Sequence, residues 1–169
     1  MLCFIGLGSN MGDRLGHLRA AVASMGAHGI APVRLSGIYE TSPVGCTEPQ
    51  QDYLNAAVGI ETKLDPAGLV ALVLDIERDL GRIRTGCNAP RSVDLDVLLM
   101  GDTVCTSADV TVPHPRMHER MFVLAPLRDI AADAVHPVLK TTIAELYAAN
   151  ATKGGGRVRL HAPRIAIGR

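Results

Sequence analysis

The chain has 169 residues and a mass of 17.9 kDa, which favours one domain and suffices for a hydrophobic core without disulfide or metal staples. Hydrophobic residues make up 47% and charged residues 20%, a balance that excludes wholesale disorder. Basic and acidic side chains number 17 each, which argues against a general nucleic-acid binder.

The charge is unevenly spread. Residues 151–169 hold Lys153, Arg157, Arg159, Arg164 and Arg169 and no acid, a basic tail on a mildly acidic body. Cys3, Cys46, Cys87 and Cys105 are scattered and form no C-x-x-C pair, so a zinc or redox motif is not expected. Asn10, Asp13 and Arg14 interrupt the short apolar start, unlike a signal peptide. No apolar run approaches the ~18 residues of a membrane span. The expectation is a cytoplasmic protein with reduced thiols and no membrane partner.

In chain order, Leu2–Gly8 is apolar and runs into Gly-Ser-Asn, a strand entering a turn. Leu15, Leu18, Val22 and Met25 then recur at helical spacing after Asp13, and Gly26 and Gly29 stop the pattern. Val33–Glu40 reads as one strand with Val33, Leu35, Gly37 and Tyr39 on one side. Residues 41–52, rich in Pro, Gly and Gln, read as a loop long enough to suggest function. Asn55–Thr62 is a strand with Ala56, Val58 and Ile60 on one face. Asp65-Pro66 supplies a helix cap and first position, with Leu69, Leu72, Val73, Ile76 and Leu80 as the buried stripe.

After Gly81 and a polar loop, Ser92–Met100 reads as a strand with Val93, Leu95, Val97 and Leu99 on one face. Thr111–Pro113 suggests a short strand, Met117–Ile130 a helix bent near Pro126, and Thr142–Ala149 a last helix. Val158-Arg159-Leu160 could add an edge strand; disorder past Gly154-Gly155-Gly156 is the competing expectation. The order strand–helix–strand–strand–helix–strand is that of an α+β, ferredoxin-like βαββαβ core: an antiparallel sheet with helices mainly on one face. Residues 1–150 are expected to form that domain, with 151–169 as its tail. The fold alone assigns no function.

The sharpest chemical signal is Ser92-Val93-Asp94-Leu95-Asp96-Val97. On a strand, Asp94 and Asp96 point the same way with Cα atoms roughly 6–7 Å apart. Two like charges on one strand face repel. A hard cation removes the conflict, and Mg²⁺ favours a few carboxylates plus phosphate oxygens and water; an incidental solvated face is the alternative. Seven of the fourteen arginines lie between Arg78 and Arg128. Guanidinium groups suit bidentate phosphate contact, so acids amid arginines suggest a polyphosphate held with metal; surface ion pairs are the competing reading.

Known nucleotide loops are missing. Gly6-x-Gly8 continues to Gly12 without the Rossmann spacing, and Gly81 and Gly86 are followed by Cys87-Asn88 rather than Lys-Ser/Thr. His114 and His118 are separated by Pro115, which argues against a helical two-histidine metal site. Asn55 offers both donor and acceptor to a heterocycle edge, and Tyr53 and Phe122 could stack on such a ring or serve as ordinary core residues.

Four blocks together resemble the 6-hydroxymethyl-7,8-dihydropterin pyrophosphokinase family of folate biosynthesis. They are residues 6–13 (GLGSNMGD), 39–45 (YETSPVG) leading into 52–57 (DYLNAA), Glu77 with 80–84 (LGRIR) and 90–96 (PRSVDLD), and 112–120 (VPHPRMHER) with 122–124 (FVL). The resemblance covers roughly residues 2–130 and implies a ferredoxin-like fold. It also implies transfer of the β,γ-pyrophosphoryl group of ATP to the pterin hydroxymethyl oxygen, with release of AMP.

By the same resemblance Asp94 and Asp96 bind two Mg²⁺ ions, Arg91, His114 and Arg120 contact phosphates, and Arg82 and Arg84 reach in from a loop. Glu77, Val97 and Thr111 lie on the ATP side. Gly8, Thr41, Ser42, Val44, Tyr53, Asn55 and Phe122 shape the pterin pocket. ATP and a reduced pterin are the implied partners of a monomer or weak dimer. Where the family usually carries a basic residue and Trp-Gly before Pro-Arg, this chain has Cys87-Asn88-Ala89; Cys46 stands where proline is common. That loop motivates an alternative, a catalytically weakened homologue that binds a pterin or nucleotide. Asp94, Asp96, Arg91 and His114 count against it. An RNA-binding module on this fold would need stacking aromatics on a central strand, which the chain lacks.

Overall fold

The computed structural model describes residues 1–44, 49–82, 90–153 and 156–164. Cys46, Arg84, Cys87, Asn88 and Ala89 lie outside them.

The strands are β1 (Leu2–Ser9), β2 (Pro32–Leu35), β3 (Ile38–Thr41), β4 (Tyr53–Glu61), β5 (Asp94–Met100), β6 (Cys105–Thr106), β7 (Thr111–Val112) and β8 (Val158–Ala162). The helices are α1 (Arg14–Ala27), α2 (Pro66–Asp79), α3 (Met121–Ala131) and α4 (Ile143–Ala151), with a 3₁₀ turn at Met117–Glu119. The main sheet runs β5-β1-β4-β3-β8 with antiparallel neighbours, and β2 also pairs with β4. This is the ferredoxin-like order with one strand added beyond β3.

Local chemistry explains the helix starts. Asp13 caps α1 by accepting from Gly16 N at 2.9 Å, and Asp65 caps α2 by accepting from Gly68 N at 2.8 Å with Pro66 in the first turn. Thr142 and Glu145 form a reciprocal capping box on α4.

The helices cover both faces of the sheet, two on each, where the expectation had them mainly on one. Leu18, Val22 and Met25 of α1 and Leu69, Val73 and Ile76 of α2 pack with Ile5, Leu7, Ala56, Val58 and Leu95. Leu124 and Leu127 of α3 and Ile143 of α4 pack with Phe4, Ala57, Leu98 and Leu99 on the opposite face. The second layer is only partial: it covers Phe4 but leaves Gly6 and Gly8 lining a cavity.

Two strand phases also differ from simple alternation. Residues 33–40 are not one strand, because Ser36 N donates to Ala57 O at 3.0 Å while Ser36 Oγ accepts from Ala57 N at 2.8 Å. A side chain thus replaces a backbone partner and the phase slips. Leu35 and Ile38 consequently both pack in the α1/α2 layer, Val33 is exposed, and Tyr39 turns to Asp129 of α3. In β5 the pairing with β1 shifts between Phe4↔Leu99 and Ile5↔Val97. This bulge sends Leu99 to the α3/α4 layer instead of joining Val93, Leu95 and Val97.

The stretch read as one bent helix is interrupted at Arg120, whose backbone is extended, while Pro126 sits inside α3. The tail forms β8 against β3 in the register Thr41↔Val158, Glu40↔Arg159 and Tyr39↔Leu160. Of the two expectations for the tail, the edge strand is therefore the one found over Val158–Ala162.

Candidate active site

Antiparallel register sets Gly8 of β1 directly between Asn55 of β4 and Asp94 of β5. Gly6 is likewise flanked by Ala57 and Asp96. Opposed Cα atoms in such ladders lie about 4.5–5.5 Å apart, so an amide and two carboxylates share one face across three strands. The sequence Gly6-Leu7-Gly8 suits this placement: Leu7 enters the core while the glycines keep the other face low. A Cβ on Gly8 would meet Asn55 Oδ1 at 3.2 Å and Asp94 Cβ at 3.8 Å.

Above this floor lies a cavity of about 600 Å³. Its walls follow the strand order, from Thr41, Ser42 and Val44 beside β3, past Asn55 and Tyr53, across Gly8, to Asp94 and Asp96. Beyond the β5 edge they continue to Val70 and Leu74 of α2 and to Thr111. Every described residue proposed for the pterin side lines the cavity. Of the metal and ATP set, Arg82, Arg91, Asp94, Asp96, Val97, Thr111, His114 and Arg120 also line it.

Glu77 does not line the cavity. It is buried, its Oε1 accepts from Leu95 N at 2.7 Å, and it forms an ion pair with Arg82. Its visible work is to fasten α2 to β5 and to hold Arg82 from below. Arg84 lies outside the described residues.

The carboxylates differ in surroundings. Asp94 Oδ1 is 2.6 Å from Arg82 Nη1, and its Oδ2 pairs with Arg91 Nη1. At Asp96, burial and then the Asp94 charge push the carboxyl above the usual range. Two hard oxygen donors on one face could hold a cation. Among the described residues no group of three His, Cys, Asp or Glu side chains gathers into a fuller ligand set.

His114 stands beside this pair because its backbone N donates to Leu98 O at 3.0 Å, next to the β5 bulge. Burial, helped by the Arg120 charge, pushes its imidazole down to about 4, so it is neutral at pH 7. Its Nδ1 accepts from Arg116 N at 3.2 Å, which leaves the proton on Nε2 as a neutral donor. Arg120 precedes α3 and its guanidinium carbon lies 5.6 Å from the Phe122 ring centroid, within cation–π range.

At the other end, Asn55 Nδ2 donates to Thr41 Oγ1 at 2.7 Å. This orients the amide and leaves Oδ1 over Gly8. Tyr53 OH donates to Gln50 Oε1 at 3.3 Å, and the same oxygen accepts from Asn10 Nδ2 at 3.0 Å. Asn10 is a positioning residue that motif reading had given no role. Arg14, Glu40, Arg157 and Arg159 were also missed; they form ion pairs at the rim, Glu40 with Arg14 and Arg159, and Asp52 with Arg157. The only sequence signal for any of them was the acid-free basic tail that holds Arg157 and Arg159.

The cavity therefore offers guanidinium, neutral imidazole and carboxylate groups on its β5 side and an amide and a hydroxyl on its β3/β4 side, with the rings of Tyr53 and Phe122 in its lining. Comparison with known proteins gives the same pairing a family. The model of the 7,8-dihydro-6-hydroxymethylpterin-pyrophosphokinase family matches residues 4–132. The 2-amino-4-hydroxy-6-hydroxymethyldihydropteridine pyrophosphokinase of Bacillus subtilis is 48% identical over 130 residues, covering 76% of this chain and 77% of that protein. The protein of the same name from Methylorubrum extorquens is 44% identical over 133 residues, covering 78% and 84%.

A mitochondrial folate synthesis bifunctional protein of Pisum sativum is 40% identical over 151 residues, and the match spans 89% of this chain but only 28% of that protein. Among solved structures, Plasmodium falciparum HPPK-DHPS superposes with a TM-score of 0.72 at 14% identity, over 90% of this chain and 45% of that one, a likeness of fold. No helix among the described residues is long and apolar enough to cross a membrane. With three quarters of its length matching the Bacillus protein at nearly one identity in two, and with the motif residues gathered at one cavity, the chain belongs to the 7,8-dihydro-6-hydroxymethylpterin-pyrophosphokinase family.

Proposed function

We propose that the chain transfers the β,γ-diphosphoryl group of ATP to the hydroxymethyl oxygen of 6-hydroxymethyl-7,8-dihydropterin, a step of folate biosynthesis. The hydroxyl oxygen bonds to the β-phosphorus and releases its proton; the bond from that phosphorus to the α,β-bridging oxygen breaks, and AMP leaves. The observation that carries this reading is the alignment of Asp94, Gly8 and Asn55 across neighbouring strands. It supports a phosphate-handling end beside Asp94 and a heterocycle-reading end beside Asn55 in one cavity, since only a glycine stands between those two side chains on the floor.

Asn55 Oδ1 and the Thr41 hydroxyl read the pterin edge, while Tyr53 and Phe122 bound its faces. Arg82, Arg91 and Arg120 offset triphosphate charge, and His114 Nε2–H donates to a phosphate oxygen without adding charge. Asp94 and Asp96 would hold Mg²⁺. The observation that favours this is their placement: both project from one face of β5, opposite Gly8 and Gly6, as two hard oxygen donors beside the cavity. Bound there with ATP, the metal would neutralise developing phosphate charge. The protein's own contribution is positioning and a preorganised field, which dominate phosphoryl transfer. We further take the chain to act in the cytoplasm as a monomer or weak dimer; Cys3 and Cys105 are unpaired, which suits a reducing compartment.

The test is AMP formation from ATP and Mg²⁺, with and without the pterin, resolved by chromatography. Pterin-dependent AMP, equimolar with a diphosphorylated pterin, is the expected result. Pterin binding without AMP would leave a binder of the same fold, and neither from folded protein would overturn the substrate assignment.

A further inference from the structure

The basic tail lies outside the segment that the family model matches, residues 4–132, yet it touches the cavity wall. Ser42 N donates to Arg157 O at 3.0 Å and Arg157 N donates to Ser42 Oγ at 2.9 Å. Gly156, at φ +93°, passes so close that a Cβ there would meet Ser42 Oγ at 2.8 Å and Val44 Cγ2 at 3.7 Å. Ser42 and Val44 both line the cavity.

Side chains of the tail reach the same region from two further points. Arg157 forms an ion pair with Asp52, whose carbonyl accepts from Arg14 Nη1 at 2.6 Å. Asp52 immediately precedes Tyr53, another wall residue. Arg159 Nε donates to Glu40 Oε2 at 2.9 Å, and Glu40 Oε1 accepts from Arg14 Nη2 at 3.1 Å. Glu40 is buried and immediately precedes Thr41, the partner of Asn55. The chain is thus gripped where it leaves β3 and again where it enters β4.

We propose that the C-terminal strand is a strap that sets the pterin side of the cavity, with Arg157 and Arg159 as positioning residues that act through Asp52, Ser42 and Glu40. The proposal rests on the pterin reading for its substrate and on geometry for its mechanics. An exposed ion pair contributes little by itself. The strap's effect comes from joining backbone pairing, two arginine grips and one close glycine contact on the same few residues. The ATP side of the cavity, beyond Gly8, has no contact with the tail's arginines in the ion pairs described.

The experiment uses the full chain with Arg157→Ala/Arg159→Ala, its Arg157→Lys/Arg159→Lys counterpart, and Gly156→Ala. Titration calorimetry with 6-hydroxymethylpterin and, separately, with a non-hydrolysable ATP analogue and Mg²⁺ gives both affinities. Amide exchange by NMR reports Ser42. The alanine pair and Gly156→Ala are expected to weaken the pterin about 5–20-fold and leave the ATP analogue within about twofold. Exchange at Ser42 rises, and the lysine pair recovers most of both changes.

Equal weakening of both ligands, or pterin binding unchanged while Ser42 exchanges faster, would overturn the proposal. Unchanged exchange at Ser42 in the alanine pair overturns it too, whatever the ligands do. If the wild-type chain binds no pterin, the substrate reading fails on that titration, and Ser42 exchange still decides whether the strap exists.

Discussion

Asn10 holds the backbone of Arg91 on both sides: its Oδ1 accepts from Arg91 N at 2.8 Å, and its own N donates to Arg91 O at 3.1 Å. Its Nδ2 continues to Gln50 Oε1, the oxygen that Tyr53 also reaches. One buried amide therefore links the arginine that pairs with Asp94 to the Tyr53 hydroxyl through Gln50.

Asn10→Ala removes that link. The expected loss is about 1–3 kcal/mol of stability, the range for stranding buried hydrogen-bonding partners. The kcat/KM should fall about 10–100-fold because Arg91 loses its fixed position. Urea unfolding and steady-state kinetics check the two parts, and unchanged kinetics with reduced stability would make Asn10 purely structural.

Gly8→Ala places a methyl 3.2 Å from Asn55 Oδ1. The strand tolerates alanine, so the melting temperature is expected to stay within about 3 °C. Pterin affinity should drop about tenfold or more as the amide is pushed aside. Calorimetry reads it, and undiminished affinity would remove Asn55 from the pterin's edge.

Asp96→Ala is expected to lower turnover by about 100-fold or more, the scale for deleting one transition-state electrostatic contact. Pterin binding should stay intact, because Gly8 and Asn55 lie across the floor from it. Loss of pterin binding in this variant contradicts the assigned role. Mg²⁺ removal by chelation should act in the same direction in the wild type.

The rim gives a prediction in pH. Hydrogen bonds and charge from Arg159 and then Arg14 hold the Glu40 carboxyl below its usual value. A lowered folded-state pKa contributes stability that is complete above the unfolded value of about 4.3 and disappears as pH falls through the folded value. Glu40→Gln is therefore expected to be less stable than wild type by a constant amount at neutral pH. The gap should narrow below about pH 4, measured by chemical unfolding at stepped pH. A gap independent of pH down to 3 would show that Glu40 does not carry this linkage.

Much of the site was legible because its chemistry is written in close spacing. Asp94 and Asp96 are two residues apart on a strand, so one face had to carry both. Gly6 and Gly8 alternate with Leu7 for the same geometric reason. The phase errors have a local cause as well: Ser36 puts a hydroxyl into the ladder at Ala57, and the β5 bulge inserts a residue near Leu98. Neither is visible in hydrophobic periodicity, which assumes every residue advances the pattern by one step.

Residue order alone carried the element sequence, the paired carboxylates, the arginine-rich surroundings and the family, since all are set by neighbours a few positions apart or by motifs in fixed order. Tertiary structure decided that Glu77 braces Arg82 and Leu95 beneath the wall, and that α3 and α4 roof only part of the second sheet face. It also decided that Arg157 and Arg159 meet Asp52 and Glu40 from more than a hundred positions away. Such contacts depend on which strands become neighbours and in what register, and that choice belongs to the packing of the whole sheet.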